Sequence, residues 1–329
     1  MTARERFLAV LNGSPCDDRL PMVEWAAWWD KTVERWEQEG LPPNLDFSQS
    51  LQYFGLDELR NLNAAPLVPP AAYHGAPVIS NEGDYESLKN QIFSDAVINN
   101  LLNKAGEIKD LHDAGKLSIR VWLDGFFWFP RRLFGIEPHL YAFYDNAELM
   151  HRMNNDLERF NLQVLEALFA SLKPEFIGFA EDMSYNNGPM LSREMFNEFI
   201  MPHYRKITAY IRQNNVKVLV DSDGDITTMI PWLIDSGIEG IYPLERQAGV
   251  DIHYLRKEYP DFIFMGAYDK MVMNKGEAAI RMEFERILPV MRRGRYIPSV
   301  DHQTPPGVSL DDYRIYARLF KEYAEKAVR

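Results

Sequence analysis

Short apolar runs alternate with longer amphipathic segments along most of the chain. The runs are almost wholly apolar and end at charged residues, which is typical of buried β-strands. The segments between them repeat apolar residues every three or four positions, which predicts helices. Asn146 and Ser192 are expected to cap two of these helices, and Pro202 to kink the second. We expect strands over 117–125, 175–182, 216–223, 238–245, 261–269 and 295–302, and helices over 146–172, 192–215, 226–237, 251–260, 276–294 and 309–326.

Strict alternation of strand and helix is typical of parallel strands joined by crossover helices. With residues 20–27 as a further strand, the pattern favours an α/β fold: a single (β/α)8 TIM barrel over 1–329 with N-terminal additions. An open doubly wound sheet is the alternative, although no glycine-rich turn follows the first strand. Residues 60–115 break the rhythm, and we expect a lid or a β excursion there.

Ionisable side chains follow each of the six strands. The active site of a (β/α)8 barrel lies at the C-terminal ends of its strands, so these side chains are expected to share one rim. Helix capping and loop solvation would also place acidic residues there. Adjacent carboxylates on a strand point to opposite faces, so at most one of Glu181 and Asp182 should face the rim, unless the strand has already ended there. The strand-end residues are Asp124, Glu181, Asp182, Asp221, Asp223, Asp225, Glu245, Arg246, Asp269, Lys270, Asp301 and His302.

The acidic segment at the end of the strand 216–223 allows three interpretations. An apolar strand leading into Asp-x-Asp resembles the nucleophile motif of haloacid-dehalogenase-type phosphatases, but that family has Thr or Val where this chain has Asp225. A calcium loop needs Gly at its sixth position and Glu at its twelfth, where Ile226 and Trp232 stand. The third interpretation is a contribution to a shared site at the barrel rim, with Asp225 capping the next helix.

Four blocks of the chain resemble the uroporphyrinogen decarboxylase superfamily, which includes cobalamin-linked methyltransferases. Together the blocks extend over most of the chain. The resemblance implies a (β/α)8 barrel, in agreement with the alternation of strands and helices. The blocks are RERFLAVLNGSPCDDRLPMVEW (4–25), GFAEDMSYNNGPMLSREMFNEFIMPHYRKI (178–207), VLVDSDGDITTMIPWLIDSGIEGIYPLE (218–245) and YIPSVDHQTPPGVSLDDYRIY (296–316).

Two signature segments of that superfamily are altered in this chain. The decarboxylases carry Arg-Gln-Ala-Gly-Arg after the first strand, where its arginines hold the propionates of the substrate; the corresponding stretch here is EWAAWWDKTVERW (24–36). The methyltransferases bind zinc through a His-x-Cys pair and a later Cys, and the matching positions hold Asp221, Asp223 and His302. The resemblance therefore implies a divalent metal at these three residues, zinc first, with manganese or iron also suited to such ligands. Without a metal, the carboxylates would pair with nearby cations.

Aromatic residues after two of the strands point to the kind of ligand. Such residues are most often core packing, but at a barrel mouth they would line a flat apolar pocket suited to an aromatic ether or a corrinoid face. His302, which can titrate near neutrality, is expected to be catalytic together with Asp223 and Glu181. The expected substrate-binding residues are Trp25, Trp28, Phe126, Trp128, Tyr185, Glu245 and Lys270.

The charge balance and the cysteine content limit the classes of partner. Lys and Arg total 36 against 48 Asp and Glu, a formal net charge of −12, which disfavours nucleic acid and anionic membranes as partners. Cys16 is the only cysteine, so an intramolecular disulfide and a cysteine-built zinc site are both excluded. No apolar run approaches the ~18 residues of a membrane span, and the first residues lack a signal-peptide block, so we expect a cytoplasmic protein.

The leading hypothesis is an enzyme of this superfamily that acts on a small, partly aromatic or methylated substrate. The expected reaction is metal-assisted methyl transfer to a corrinoid carried by a partner protein. A porphyrinogen decarboxylase, which is a lyase, is the first alternative; the acidic rim and the altered arginine segment disfavour its polycarboxylate substrate. A non-catalytic binding protein on the same scaffold is the second alternative.

Overall fold

The structure, a computed structural model, describes residues 1–328. The chain divides into two units. The terminal unit comprises Met1–Arg60, Leu111–Ser118 and the chain from Gly240 onward, and the central unit comprises Asn61–Asp110 and Ile119–Glu239. Every helix in residues 1–328 is too short or too polar to cross a lipid bilayer.

Parallel strands form the interior of each unit. In the central unit β3 pairs in parallel with both β2 and β4, and in the terminal unit β6 pairs in parallel with both β5 and β7. All residues of β3, β5, β6 and β7 are buried, as expected for strands covered on both faces. The expected α/β fold with parallel strands is confirmed. The strands are β1 (Glu58–Asn63), β2 (Leu117–Asp124), β3 (Phe176–Ala180), β4 (Lys217–Asp221), β5 (Gly240–Leu244), β6 (Ile263–Tyr268) and β7 (Tyr296–Val300).

Helices connect these strands, and three helices precede β1 as the expected N-terminal additions. A short hairpin joins Ser184–Tyr185 to Gly188–Pro189 in the central unit. The helices are α1 (Ala3–Asn12), α2 (Asp30–Gln38), α3 (Phe47–Phe54), α4 (Glu82–Ile92), α5 (Asp95–Asp113), α6 (Trp128–Phe134), α7 (Ile136–Asp145), α8 (Ala147–Ser171), α9 (Met201–Gln213), α10 (Ile230–Asp235), α11 (Ile252–Glu258), α12 (Glu277–Met291) and α13 (Leu310–Ala327).

The predicted helix boundaries hold in part. Asn146 stands at the N-cap of α8, although its side chain makes no capping hydrogen bond. The Ser192 side chain accepts a hydrogen bond from the Met195 N–H at 3.2 Å, so this predicted cap is confirmed. The helix expected over 192–215 is interrupted by a π-helical turn just before Pro202, which lies in the first turn of α9. Proline removes a backbone donor, and the irregular turn accommodates this loss.

Residues 20–27 do not form the expected strand. The backbone of Met22 bonds to Asp57, whose carboxylate accepts the Met22 N–H at 2.9 Å and whose own N–H donates to the Met22 carbonyl at 2.7 Å. The Ser299 hydroxyl donates to the Val23 carbonyl at 2.8 Å. These isolated backbone and side-chain hydrogen bonds take the place of a strand ladder.

The region 60–115 is helical where a β excursion was expected. It contains a loop and then α4 and α5, while β1 begins just before it and was missed. The N–H groups of Val78 and Ile79 donate to the Leu133 carbonyl at 2.7 and 3.1 Å, which ties the loop to the end of α6. A lid role for this region, and the treatment of 1–329 as one domain, stay predictions.

Candidate functional site

Glu181 directly follows β3 and is fully buried. One of its carboxylate oxygens accepts the Phe126 N–H at 2.8 Å, and the other accepts those of Phe127 and Trp128 at 2.7 and 2.9 Å. The Tyr204 hydroxyl on α9 donates to the first oxygen. Glu181 therefore fastens the turn between β2 and α6, and its catalytic role stays a prediction.

The environment of Glu181 sets its protonation. Burial raises the pKa of its carboxyl to about 7, and the hydrogen bonds from Tyr204 and from the turn oppose a further rise. Gly125 approaches this carboxylate so closely that a Cβ at that position would lie 2.1 Å from Glu181 Cδ. A glycine is therefore required where β2 passes into the turn.

Asp124, the last residue of β2, is paired with a cation. It is fully buried, and Arg132 on α6 forms an ion pair with its carboxylate. Burial raises the pKa of Asp124, and the attraction of Arg132 opposes that rise. The Asn161 side chain donates to the Asp124 carbonyl at 3.2 Å. Asp124 thus anchors α6 to the end of β2.

Three carboxylates meet beside the ends of β3 and β4. Asp182, Asp221 and Asp223 each offer one oxygen, and these oxygens all lie within 4.8 Å of one another. Asp221 is buried and the other two are half-buried. The Glu181 and Asp182 N–H groups donate to the Asp221 carbonyl at 2.9 and 3.3 Å, which brings the two strand ends together. Closely spaced carboxylate oxygens suit a divalent cation, so this donor set fits a metal of the oxygen-preferring kind.

The loop that carries Asp223 is fixed against the short hairpin. The Ser184 hydroxyl donates to the Asp223 carbonyl, and the Asp225 N–H donates to the Tyr185 carbonyl at 2.9 Å. Gly224, at φ +84°, lies against the Tyr185 backbone, where a Cβ would come within 2.6 Å. This packing positions the carboxylate of Asp223.

Asp225 does not cap a helix directly. Its side chain accepts the Thr227 N–H at 3.0 Å, which is an Asx turn, and α10 starts only at Ile230. Asp225 therefore stabilises a turn that precedes α10, and the predicted capping of the helix is not observed.

Asp301 has the same structural role in the terminal unit as Glu181 has in the central unit. Its carboxylate accepts backbone N–H groups from the loops that follow β5 and β6. It directly follows β7, is fully buried, and accepts the N–H groups of Arg246 and Lys270, each at 3.1 Å. The Lys270 ammonium lies 3.7 Å away. Burial raises the pKa of Asp301 to about 6, against the effect of Lys270. Sequence reasoning named Asp301 only as a strand-end residue and gave it no role.

His302 is half-buried beside Trp25. The ring centroids lie 5.9 Å apart in an edge-to-face arrangement, and Trp25 also contacts Tyr242 at 6.0 Å. Burial, followed by the charge of Lys270, lowers the pKa of His302, while Glu245 acts in the opposite direction. His302 is therefore neutral near pH 7, the form that can accept a proton or ligate a metal.

Two of the expected substrate-binding residues are core residues. Trp28 is buried and packs edge-to-face against Trp36 and Tyr313 at 5.5 Å each. Phe126 is 0% exposed and stacks on His203 at 4.9 Å. Both rings are packed by neighbouring side chains, as is usual for core aromatic residues, and their contact with a substrate stays a prediction.

The other expected substrate-binding residues differ in exposure. Tyr185 is 49% exposed, Trp128 is half-buried under the Arg131 guanidinium at 5.3 Å, and Trp25 is 8% exposed. Glu245 and Lys270 are half-buried. In the central unit, Asp221 and Asp223 are joined by Asp182, which the sequence reasoning did not choose as a ligand. The addition of His302 to these two aspartates stays a prediction.

Comparison with known proteins finds a protein family and solved structures that this chain resembles. Residues 134–323 match the family described as uroporphyrinogen decarboxylase (URO-D). The structure is similar to that of a methyltransferase from Methanosarcina mazei, with a TM-score of 0.68 over 98% of this chain and 99% of that chain. The two sequences are 14% identical, so this likeness concerns the fold. No curated protein matches the sequence.

Proposed function

Because the chain belongs to the uroporphyrinogen decarboxylase family, we propose that it is an enzyme with the closed (β/α)8 barrel expected from its sequence. Its proposed reaction is methyl transfer from a small, partly aromatic or methylated substrate to a corrinoid carried by a partner protein. The observation that carries this proposal is the group of Asp182, Asp221 and Asp223 at two strand ends. Asp221 and Asp223 are two of the three residues at which the family resemblance implies a metal ligand.

These three aspartates would hold a divalent metal, with zinc the first choice and manganese or iron the others. When bound, such an ion would polarise an ether oxygen or another leaving group. Asp221 is buried, and its carbonyl accepts the N–H groups of Glu181 and Asp182. These hydrogen bonds hold the two strand ends together, so the three carboxylates are already close to one another before a metal binds. The proposal adds His302 as a further ligand or as a general base.

His302 is suited to accept a proton at neutral pH. Burial, followed by the charge of Lys270, lowers the pKa of His302, which favours the neutral ring at neutral pH. Trp25 packs at the edge of the ring and limits its motion. Asp301, the preceding residue, fixes the chain through the N–H groups of Arg246 and Lys270. The proposed base is therefore held in one orientation by its neighbours.

Porphyrinogen decarboxylation is less well supported by the residues after Trp25. The only arginine in the stretch 24–36 is Arg35. Its guanidinium donates to Glu39 at 2.7 Å and to the Pro306 carbonyl at 2.9 Å. A substrate with several carboxylates would have to displace these contacts, which supports a less anionic substrate.

The test is an anaerobic assay of the purified protein with cob(I)alamin and a panel of methoxylated aromatic compounds. Formation of methylcobalamin is followed by absorbance. We expect turnover that Asp223→Asn and His302→Ala each reduce at least ~100-fold, the scale of a lost catalytic group. The matched controls are Asp225→Asn, in which the new amide oxygen can still accept the Thr227 N–H, and His253→Ala, at an exposed position.

Three outcomes would count against the proposal. Full turnover in both active-site variants would remove Asp223 and His302 from the mechanism. Formation of coproporphyrinogen from uroporphyrinogen would favour the decarboxylase. Tight binding of a corrinoid protein with no turnover of any substrate would favour a binding protein on the same scaffold.

A further inference from the structure

A cavity of about 550 Å³ lies in the terminal unit between the end of α3 and the last helix, α13. Four cationic side chains line it, and no carboxylate does so among the described residues. This lining is unusual in a chain with a net charge of −12. The volume lies within the ~300–1,000 Å³ of small-molecule sites. The cations of this cationic cavity are Arg19, Arg314, Arg318 and Lys321.

Three of these cations lie on one face of α13. Arg314, Arg318 and Lys321 follow one another at spacings of four and three residues, which places them on the same side of the helix. All three are exposed, and Ala317, which also lines the cavity, is buried between them. Like charges at this spacing repel one another, so a bound anion would relieve this repulsion.

The opposite wall is formed by the end of α3. The Tyr53 hydroxyl accepts a hydrogen bond from the Arg314 guanidinium at 2.5 Å, and the guanidinium lies 5.8 Å from the Tyr53 ring centroid. A tyrosine hydroxyl that accepts one hydrogen bond still has its own hydrogen to donate. The Tyr53 ring is 41% exposed, so it also offers a flat surface.

Three of the four cations keep free hydrogen-bonding capacity, whereas Arg19 is paired with Asp57 at 2.5 and 2.7 Å. Arg314 donates to Asp311 at 2.9 Å and Arg318 to Glu277 at 2.7 Å, which leaves several of the five N–H groups of each guanidinium available. Lys321 has no carboxylate within ion-pair distance in residues 1–328. Its ammonium has no competing partner for an incoming anion.

We propose that the cationic cavity binds a small multivalent anion of the phosphate monoester class. Two guanidinium groups and an ammonium match the charge and the several oxygens of a phosphate, and Tyr53 adds a hydroxyl donor and a ring for the organic part. The site lies outside the group of aspartates in the central unit. Its occupancy is therefore testable without any assumption about the reaction.

The test is calorimetric titration of the purified full chain in a chloride buffer of low ionic strength at pH 7.5. Inorganic phosphate, adenosine monophosphate and citrate are titrated separately. We expect saturable binding of phosphate and tighter binding of the monophosphate at one site per chain, both weakened by added salt. Citrate distinguishes recognition of a phosphate from recognition of any polyanion.

Charge-removing variants distinguish binding in the cationic cavity from unspecific attraction of an anion to the protein surface. Arg318→Gln with Lys321→Gln should weaken phosphate binding at least ~10-fold, the scale of lost charge-assisted hydrogen bonds. Lys321→Gln alone, which breaks no ion pair, should weaken binding ~3-fold or more on the same grounds. The control is Lys257→Gln with Arg293→Gln, which removes the same charge from exposed positions of the terminal unit. Thermal melts without ligand confirm that each variant is folded.

Several results would overturn the proposal. One is the absence of saturable heat with phosphate and with the monophosphate. Another is an equal loss of affinity in the control pair, which would show unspecific attraction. Binding of citrate alone would assign a polycarboxylate ligand in place of a phosphate.

Discussion

The Tyr204 hydroxyl donates a hydrogen bond to the carboxylate of Glu181, so α9 and the end of β3 hold the same buried group. Backbone N–H groups of residues 126–128 donate to the same carboxylate. In the terminal unit Asp301 likewise accepts the N–H groups that follow β5 and β6. Each unit therefore uses one buried carboxylate to hold the loops at its strand ends, and the exposed strand-end residues depend on these two anchors.

Glu181→Gln is expected to lower the free energy of unfolding by about 2–4 kcal/mol, because its amide NH2 would face backbone N–H donors. Both carboxylate oxygens accept such donors, so neither orientation of the amide avoids the conflict. Urea unfolding at pH 8 measures the change. Glu166→Gln, at an exposed position of α8, is the control and should stay within about 0.5 kcal/mol of the parent. Equal values for the two variants would contradict the anchoring role.

Gly125→Ala is expected to be strongly destabilising, because its Cβ would overlap the Glu181 carboxylate at 2.1 Å. An overlap with a fixed buried group costs about 1–3 kcal/mol or more. Gly106→Ala in α5 is the matched control, since nothing lies within 4 Å of the added Cβ and alanine favours a helix by about 0.5–1 kcal/mol. The two substitutions should therefore shift the thermal midpoint in opposite directions. A stabilising Gly125→Ala would refute the close approach.

The family and the parallel α/β pattern could be predicted from the sequence because both depend on local periodicity and on the spacing of motifs. The strand β1 was missed because ELRNLN has only two apolar residues, Leu59 and Leu62, and their spacing of three breaks the two-residue alternation of a strand. β3 ends at Ala180, so Glu181 and Asp182 lie beyond the strand and the opposite-face rule does not apply to them. Asp182 joins the other aspartates and Glu181 turns into the protein. The backbone turns at Asp182, whose φ is +42°, and a single sequence does not show such a turn.

The aromatic residues show a second limit of prediction from the sequence: position after a strand does not show whether a ring contacts a ligand. Trp28 and Phe126 were assigned to the substrate from their position after a strand, and the structure packs both in the core. Polar residues at strand ends are informative because burial costs them free energy, whereas aromatic residues are stable in a core or a pocket alike. Position alone therefore did not distinguish Trp25, which contacts His302, from Trp28, which packs against Trp36.

His139→Phe is expected to stabilise the protein by about 1–3 kcal/mol, because His139 is fully buried and both ring nitrogens lack a hydrogen-bond partner among the described residues. Phenylalanine would fill the same space between Phe127 and Phe143, whose ring centroids lie 4.6 and 5.1 Å away. His253→Phe, at an exposed site, should give no gain. Denaturant unfolding at pH 7 measures both variants, and a destabilised His139→Phe would show that a polar partner had been lost.

His139→Phe should also change how the stability of the protein depends on pH. Burial lowers the pKa of His139 from 6.5 to about 3, so the unfolded chain binds an additional proton between these values. The parent protein therefore loses stability as the pH falls from 6.5 towards 3, and His139→Phe should lose less over that range. Parallel curves for parent and variant would contradict the lowered pKa.

Asp223→Asn is expected to reduce the retention of a divalent metal at least ~10-fold, since it removes one carboxylate charge from the group with Asp182 and Asp221. Samples are dialysed against zinc or manganese, then against metal-free buffer, and the bound metal is measured by elemental analysis. Asp225→Asn removes the same charge two residues further on and keeps an acceptor for the Thr227 N–H, so it should bind like the parent. Equal retention in both variants would remove Asp223 from the metal site.

Glu24→Gln is expected to flatten the dependence of stability on pH above pH 4.5. Glu24 is buried, the Tyr313 hydroxyl donates to it at 2.6 Å, and burial raises its pKa from 4.5 to about 8. A raised pKa means that the folded protein binds an additional proton between these values, so this stability is present below pH 4.5 and is lost as the pH rises through 8.

The loss attributable to Glu24 is on the order of a few kcal/mol. Glutamine stays neutral and still offers an oxygen to Tyr313, so the variant should lose less stability than the parent between about pH 5 and pH 8.5, whatever its offset at the lower pH. Glu34→Gln, at an exposed position of α2, should reproduce the slope of the parent. Urea unfolding at several pH values across this range measures the three slopes, and an unchanged slope in Glu24→Gln would show that Glu24 is already ionised at neutral pH.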